Sequence, residues 1–241
     1  MRATWLIFRR EMGQYLTSPM AYLIGAAFLL LTGITFNSDL LASISVKPLD
    51  PAAVPSLLAS ILILFSPLLT MRLLAEEERE GTMELLLTAP VTDSSIVIGK
   101  FLSAWAFYTI LLLLTLIYQV IAISISFPDI SHMLGSYLGI WIYGGATLAI
   151  GTLFSATTEN QILAAFLSLT TLFILYYGDN ISQLISDVRV ADVLFNLTLR
   201  GHFMASFAIG VLRAEDLVYY AGIIAIALFV AIQVVSSRRW R

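Results

Sequence analysis

Residues 101–125 read FLSAWAFYTILLLLTLIYQVIAISI, a run without Asp, Glu, Lys or Arg that stays charge-free to residue 128. A helix rises ~1.5 Å per residue, so this run is long enough to cross ~30 Å of hydrocarbon. Five other stretches are equally free of charge: 12–38, 51–71, 130–158, 160–178 and 217–237. Each reaches or exceeds the ~18–20 residues of a membrane span. The spacing predicts spans near 20–37, 54–74, 101–125, 134–155, 161–177 and 217–236. Buried helices of a soluble protein would need polar helices to wrap them, and none remain. The fifth span is the weakest: its apolar core, Ile162–Tyr177, is short and meets Gly178-Asp179-Asn180. It is expected to bend or stop inside the membrane.

Composition agrees. Of 241 residues, 59% are hydrophobic and 12% charged, with a mean hydropathy of +0.90. A soluble domain carries roughly 25% charged residues, so a water-soluble enzyme and a disordered chain are both excluded. The formal net charge of −3 gives no reason to expect a nucleic-acid partner. With no cysteine, disulfide frameworks, thiolate metal sites and cysteine nucleophiles drop out together.

Six spans put both termini on one side. That side would hold Arg2, Arg9, Arg10, Arg72, Arg79, Lys100, Arg238, Arg239 and Arg241, against Lys47, Arg189, Arg200 and Arg213 on the other. The positive-inside rule then makes both termini cytoplasmic. Arg9, Arg10 and Glu11 interrupt the N-terminus too early for a cleavable signal peptide. Residues 2–17 read instead as an amphipathic helix along the cytoplasmic interface, with Trp5, Phe8, Met12 and Tyr15 on its apolar stripe and Arg9 and Arg10 elsewhere. Ser18-Pro19 marks the corner into the first span.

Two connectors concentrate the polar residues. The first, 75–99, is cytoplasmic and carries Glu76, Glu77, Glu78, Glu80, Glu84 and Asp93. Thr82 is placed to cap a short helix over Met83–Leu87, which Ala89-Pro90 stops; Thr92 or Asp93 caps the next. An acidic approach to a short apolar helix suits the docking of a basic protein surface, although a solvated charge run would look similar. The second connector, 178–216, is too polar to span and too apolar to be coil. It reads as re-entrant or lying on the outer leaflet, where Asp179, Asn180, Asp187 and Arg189 would form an outer gate or a passive cap.

Searches for chemistry return little. Gly99-Lys100 lacks the rest of a phosphate-binding loop, so ATP is not expected to bind this chain. His132 and His202 have no metal-ligand spacing and no G-x-S-x-G is present. Ionisable residues deep within the six spans are absent, which argues against ion-coupled transport and for an external energy source. Gly135-x-x-x-Gly139 is a weak signal for a dimer contact.

One stretch carries a family resemblance. Glu77-Glu78-Arg79-Glu80-Gly81-Thr82-Met83-Glu84-Leu85-Leu86-Leu87-Thr88-Ala89-Pro90-Val91, followed by Ile98-Gly99-Lys100-Phe101, resembles the first cytoplasmic loop of ABC-2-type permeases. The basic N-terminal helix, the six-span order and the outer segment before the last span extend the likeness over the chain. Within the family it is most similar to the gliding-motility-associated permease subunit. The resemblance implies an all-α integral membrane protein, a single permease domain over 1–241, with an interfacial helix and re-entrant outer helices before the last span. It implies that Glu77, Glu78, Arg79, Gly81, Thr82, Glu84, Leu86 and Pro90 couple to an ATPase subunit. The interfacial helix (Trp5, Phe8, Arg9, Arg10, Met12) and a turn at Thr158 and Glu159 would add contacts. No cofactor is expected in this chain, ATP and Mg belonging to the partner. A second permease copy or paralogue would complete the unit in the bacterial inner membrane, with a periplasmic or membrane accessory protein as a further candidate partner. A secondary carrier, a channel, and a non-transporting anchor for an ATPase stay open as alternatives; the substrate is not legible.

Overall fold

A computed structural model describes residues 2–45, 49–83, 91–125, 129–182, 189–190 and 195–238. Among these, the chain is helical: α1 (Arg2–Thr17), α2 (Pro19–Ser45), α3 (Ala53–Thr70), α4 (Ala75–Arg79), α5 (Asp93–Ile125), α6 (Ile130–Thr157), α7 (Gln161–Ser182), α8 (Leu199–Ala205), a 3-10 turn (Phe207–Ile209) and α9 (Ala214–Arg238). Six helices are long and apolar enough to cross a membrane, at the six places the charge-free stretches mark.

One span runs further than expected, and another starts where its cap was expected. α7 does not stop at Gly178 but continues through Asp179 and Asn180 to Ser182. Its helical bonding tolerates the polar pair because Asp179 finds a partner on α8, described below. α5 starts at Asp93, a full two turns ahead of the apolar run, and is 33 residues long. At ~1.5 Å per residue it reaches about 50 Å, well past the hydrocarbon core. Lys100 therefore sits inside a continuous helix, as the helix expected from Thr92 or Asp93 into the third span implies.

α6 is the central post and touches α3, α5, α7 and α9. Its small residues allow this. A Cβ on Gly144 would lie within the ring of Tyr108, and one on Gly139 within that of Phe207. Gly135 would likewise meet the backbone of Gly210. Gly135 and Gly139 thus receive this chain's own 3-10 turn, not a second copy, and the dimer contact expected of them is corrected. The close approach they permit is intramolecular.

Many polar residues within the spans are satisfied locally or across helices, as a medium without water favours. Thr32, Thr152 and Ser168 donate to their own helix at Phe28, Leu148 and Ala164. Between helices, Tyr143 donates to the Ala59 carbonyl, Tyr108 to that of Ile140, and Ser66 to the Thr147 hydroxyl. α8 and the 3-10 turn fold back onto α6: the Phe203 ring lies 5.9 Å from that of Tyr143, midway along α6, and Phe203 and Phe207 are fully buried.

Candidate functional site at the α1 end

α1 packs lengthwise on the first turns of α5, and Gly99 allows the contact: a Cβ there would lie 3.0 Å from Ile7 and from the Thr4 carbonyl. This register buries Ile7 and Glu11, not the stripe expected from periodicity. Trp5 stays 62% exposed and stacks on Phe8 at 5.1 Å. Met12 is half-buried against the core, and Arg9 is exposed. Tyr15 turns inward, donating to the Leu69 carbonyl at 2.6 Å and stacking on Phe107. Burial, and secondarily the Glu11 charge, pushes its phenol well above its ordinary pKa, so it stays a neutral donor.

Lys100 is 1% exposed and Glu11 4%. The Lys100 ammonium lies 3.1 Å from Glu11 Oε1 and 3.0 Å from Glu77 Oε2. Arg10 completes the group, reaching Glu11 and Glu77 at 2.6 Å each. Burial works against the Arg10 charge, but the two carboxylates outweigh it and raise its pKa above the ordinary guanidinium value. Two cations and two carboxylates from α1, α4 and α5 thus form a closed, charge-balanced cluster. Such a group is stable only while complete, since loss of one member strands a buried charge.

α4 is held on its other side too. Glu78 pairs with Arg238 at the end of α9, and Arg238 donates to the Ala156 carbonyl of α6 at 2.7 Å. The α3–α4 junction is stapled by Ser155, which accepts from the Leu74 and Ala75 amides and donates to the Met71 carbonyl. Beneath the charges, Ile7, Leu74, Met83, Ile96, Val97, Ala156, Ala231 and Val235 make a small apolar core separate from the main one. Five elements therefore meet at α4.

The end of α4 is defined by Gly81, whose φ of 71° lies in the left-handed region that favours glycine. Thr82 donates to the Glu77 carbonyl at 3.3 Å, and Thr82 and Met83 are helical, where the short helix expected after Gly81 begins; the rest of that helix lies outside the described residues. Thr92 caps α5, accepting from the Ser95 amide, as its position suggested. Arg79, Glu80 and Gly81 are the exposed tip. Glu84, Leu86 and Pro90 lie outside the described residues. Thr158 and Glu159 sit at the same end, two and three residues beyond Ala156; the Thr158 hydroxyl accepts from the Asn160 amide, and the Asn160 side chain caps α7.

The opposite end carries its own pairs. Asp179 meets Arg200 at 2.9 Å, with the guanidinium over the Tyr176 ring at 5.5 Å. His202 Nδ1 lies 2.5 Å from Asp216, its Nε2 donates to the Asn196 carbonyl at 3.0 Å, and its ring stacks on Tyr219. Asn180 and Arg189 are exposed and Asp187 is outside the described residues. Of the four residues expected to form a gate, Asp179 alone is seen in a cross-element ion pair whose partner is identified. Arg200, His202 and Asp216 were missed because their pairing joins α7, α8 and α9 over distances no local pattern encodes.

The model of the ABC-2 family transporter protein matches residues 47–189, more than half of the chain and including the connector that carries α4. A search of the curated proteins finds no match. Six apolar spans and that match together place this chain in the ABC-2 transporter family, as the membrane component of an ATP-binding-cassette transporter.

Proposed function

We propose that this chain couples ATP hydrolysis by a separate nucleotide-binding subunit to export or mechanical work, as one of two permease subunits in a bacterial inner membrane. The observation that carries the reading is the cluster of Arg10, Glu11, Glu77 and Lys100, which joins α4 to α1 and α5. Glu77 and Glu78 are spent on this chain's own cations, so their role is to hold α4 rigid. Docking to the ATPase falls to the exposed tip, Arg79 to Gly81, and to the segment carrying Glu84, Leu86 and Pro90, with Thr158 and Glu159 as a lesser contact. Closure of two ATPase subunits would push the tip, and α1, α5 and α9 would move with it. Coupling requires the ATPase to dock differently in its two nucleotide states, since equal affinity shifts nothing. ATP and Mg would be held by the partner.

Both termini are read as cytoplasmic, supported by the concentration of arginine at the α1 end. The packing of α8 and the 3-10 turn against the middle of α6 supports a re-entrant segment that gates or caps a pathway at the far side. A role in gliding motility rests on the sequence resemblance alone.

The test is co-purification. C-terminally tagged protein, extracted in mild detergent, should bring down a P-loop ATPase stoichiometrically, with a periplasmic partner identifying the process. Charge reversal at Arg79 and Glu80 should release transport from ATP hydrolysis while the complex still folds. Unchanged transport by that variant would remove the docking role. A chain that purifies alone and moves solute in ATP-free liposomes would make it a carrier or channel; an ATPase complex that moves no cargo would make it an anchor.

A further inference from the structure

Between α1, α5 and α6 runs a groove of about 520 Å³, walled by Trp5 and Phe8, by Trp105, Ala106 and Thr109, and by Trp141. A second groove of about 810 Å³ shares Thr109 and Trp141 and continues along α5 and α6 to Gly210 and Leu212. Where the two grooves meet, the polar side-chain atoms of Trp105, Thr109 and Trp141 are satisfied within the chain. Trp105 Nε1 donates to the Trp141 carbonyl at 3.3 Å, Trp141 Nε1 to the Thr109 hydroxyl at 3.0 Å, and that hydroxyl to the Trp105 carbonyl at 2.7 Å. The two indoles stack at 4.6 Å. What the groove presents is therefore a hydrocarbon surface, unsuited to a sugar or nucleotide.

Two arginines of α1 flank Trp5, one of the residues that wall the groove. Arg2 and Arg9 stand three residues before and four after Trp5, so all three share one side of α1. Both arginines are exposed, and no ion pair to either is found among the described residues. Arg10, by contrast, points away into the buried cluster. An apolar slot beneath two arginines at the end of a span matches an amphiphile with a negative head and a hydrocarbon tail.

We propose that this face binds an anionic phospholipid, its phosphate between Arg2 and Arg9 and one acyl chain in the groove against Trp105 and Trp141. The proposal rests on the six spans, not on the ATPase partner. Lipid is favoured over a second copy of the chain because, among the described residues, neither groove is lined by a carboxylate that could pair with the arginines of a partner copy, whereas a phosphate supplies the anion.

Full-length protein is reconstituted in vesicles of equal phosphatidylglycerol and phosphatidylcholine, re-extracted in mild detergent, and its retained lipid is counted by native mass spectrometry. Retention of one phosphatidylglycerol per chain over phosphatidylcholine is expected. The R2Q/R9Q variant, on an exposed helix face, should lose that preference by roughly twenty-five-fold, about fivefold per arginine. The groove-filling variant Ala106→Trp should retain neither lipid while both arginines remain. Equal retention of the two lipids by the unaltered protein, or undiminished phosphatidylglycerol preference in R2Q/R9Q, overturns the proposal. So does a lipid-free dimer that Ala106→Trp dissociates, which would assign the groove to a second copy.

Discussion

Lys100 illustrates how much one side chain can hold in a protein with few charges. It faces Glu11 and Glu77 with almost no water, so Lys100→Met would leave two carboxylates sharing only Arg10. Removing one partner of a buried ion pair costs about 3–5 kcal/mol. The expected outcome is a marked fall in the thermal midpoint of the detergent-solubilised protein, partly restored by adding Glu11→Gln. An unchanged midpoint would mean that the cluster is hydrated and weak. Gly81 is a second residue-scale case: its positive φ makes Gly81→Ala cost about 1–2 kcal/mol locally. That loss should appear as faster proteolysis after α4, with little change in the global midpoint. The importance of Lys100 was not legible in sequence, where it stands just before an apolar run. Burial arises only when α1 lies down on α5, a contact set by Gly99 and invisible to periodicity.

Among the elements, α4 is short and has no apolar face of its own to bury, so its position depends on what surrounds it. Glu78 and Arg238 join it to α9, an exposed-edge pair of modest strength. Reversing either charge should cost about 0.5–1 kcal/mol and loosen coupling, while the double swap Glu78→Arg/Arg238→Glu should recover both. A double swap as defective as either single reversal would show that geometry, not charge, matters there. α6 depends on small residues instead. Gly139→Val places new atoms inside the Phe207 ring and should cost about 1–3 kcal/mol, displacing the 3-10 turn. Hydrogen exchange at Phe207–Ile209 should rise, with α9 amides unaffected. The glycines of α6 announced close packing from sequence, but not against which neighbour. A G-x-x-x-G pattern reads the same whether a second chain or a returning loop fills it.

For the whole molecule, the absence of cysteine makes sidedness directly measurable. Single cysteines replacing exposed Glu159 and Ser237 should react with an impermeant maleimide from one side of sealed vesicles. One replacing Asn196 or Ser131 should react from the other. Labelling of both pairs from the same side would contradict the antiparallel order of the six spans. The helical class and the number of apolar spans were legible in the sequence alone, because crossing hydrocarbon demands long runs without charge and leaves the backbone no choice but helix. The family was also legible there, since its connector pattern is local. Tertiary structure alone decided which charges meet: Arg10, Glu11, Glu77 and Lys100 at one end, Asp179 with Arg200 and His202 with Asp216 at the other. A buried charge must find its opposite, but the partner is chosen by how helices pack in three dimensions and not by distance along the chain.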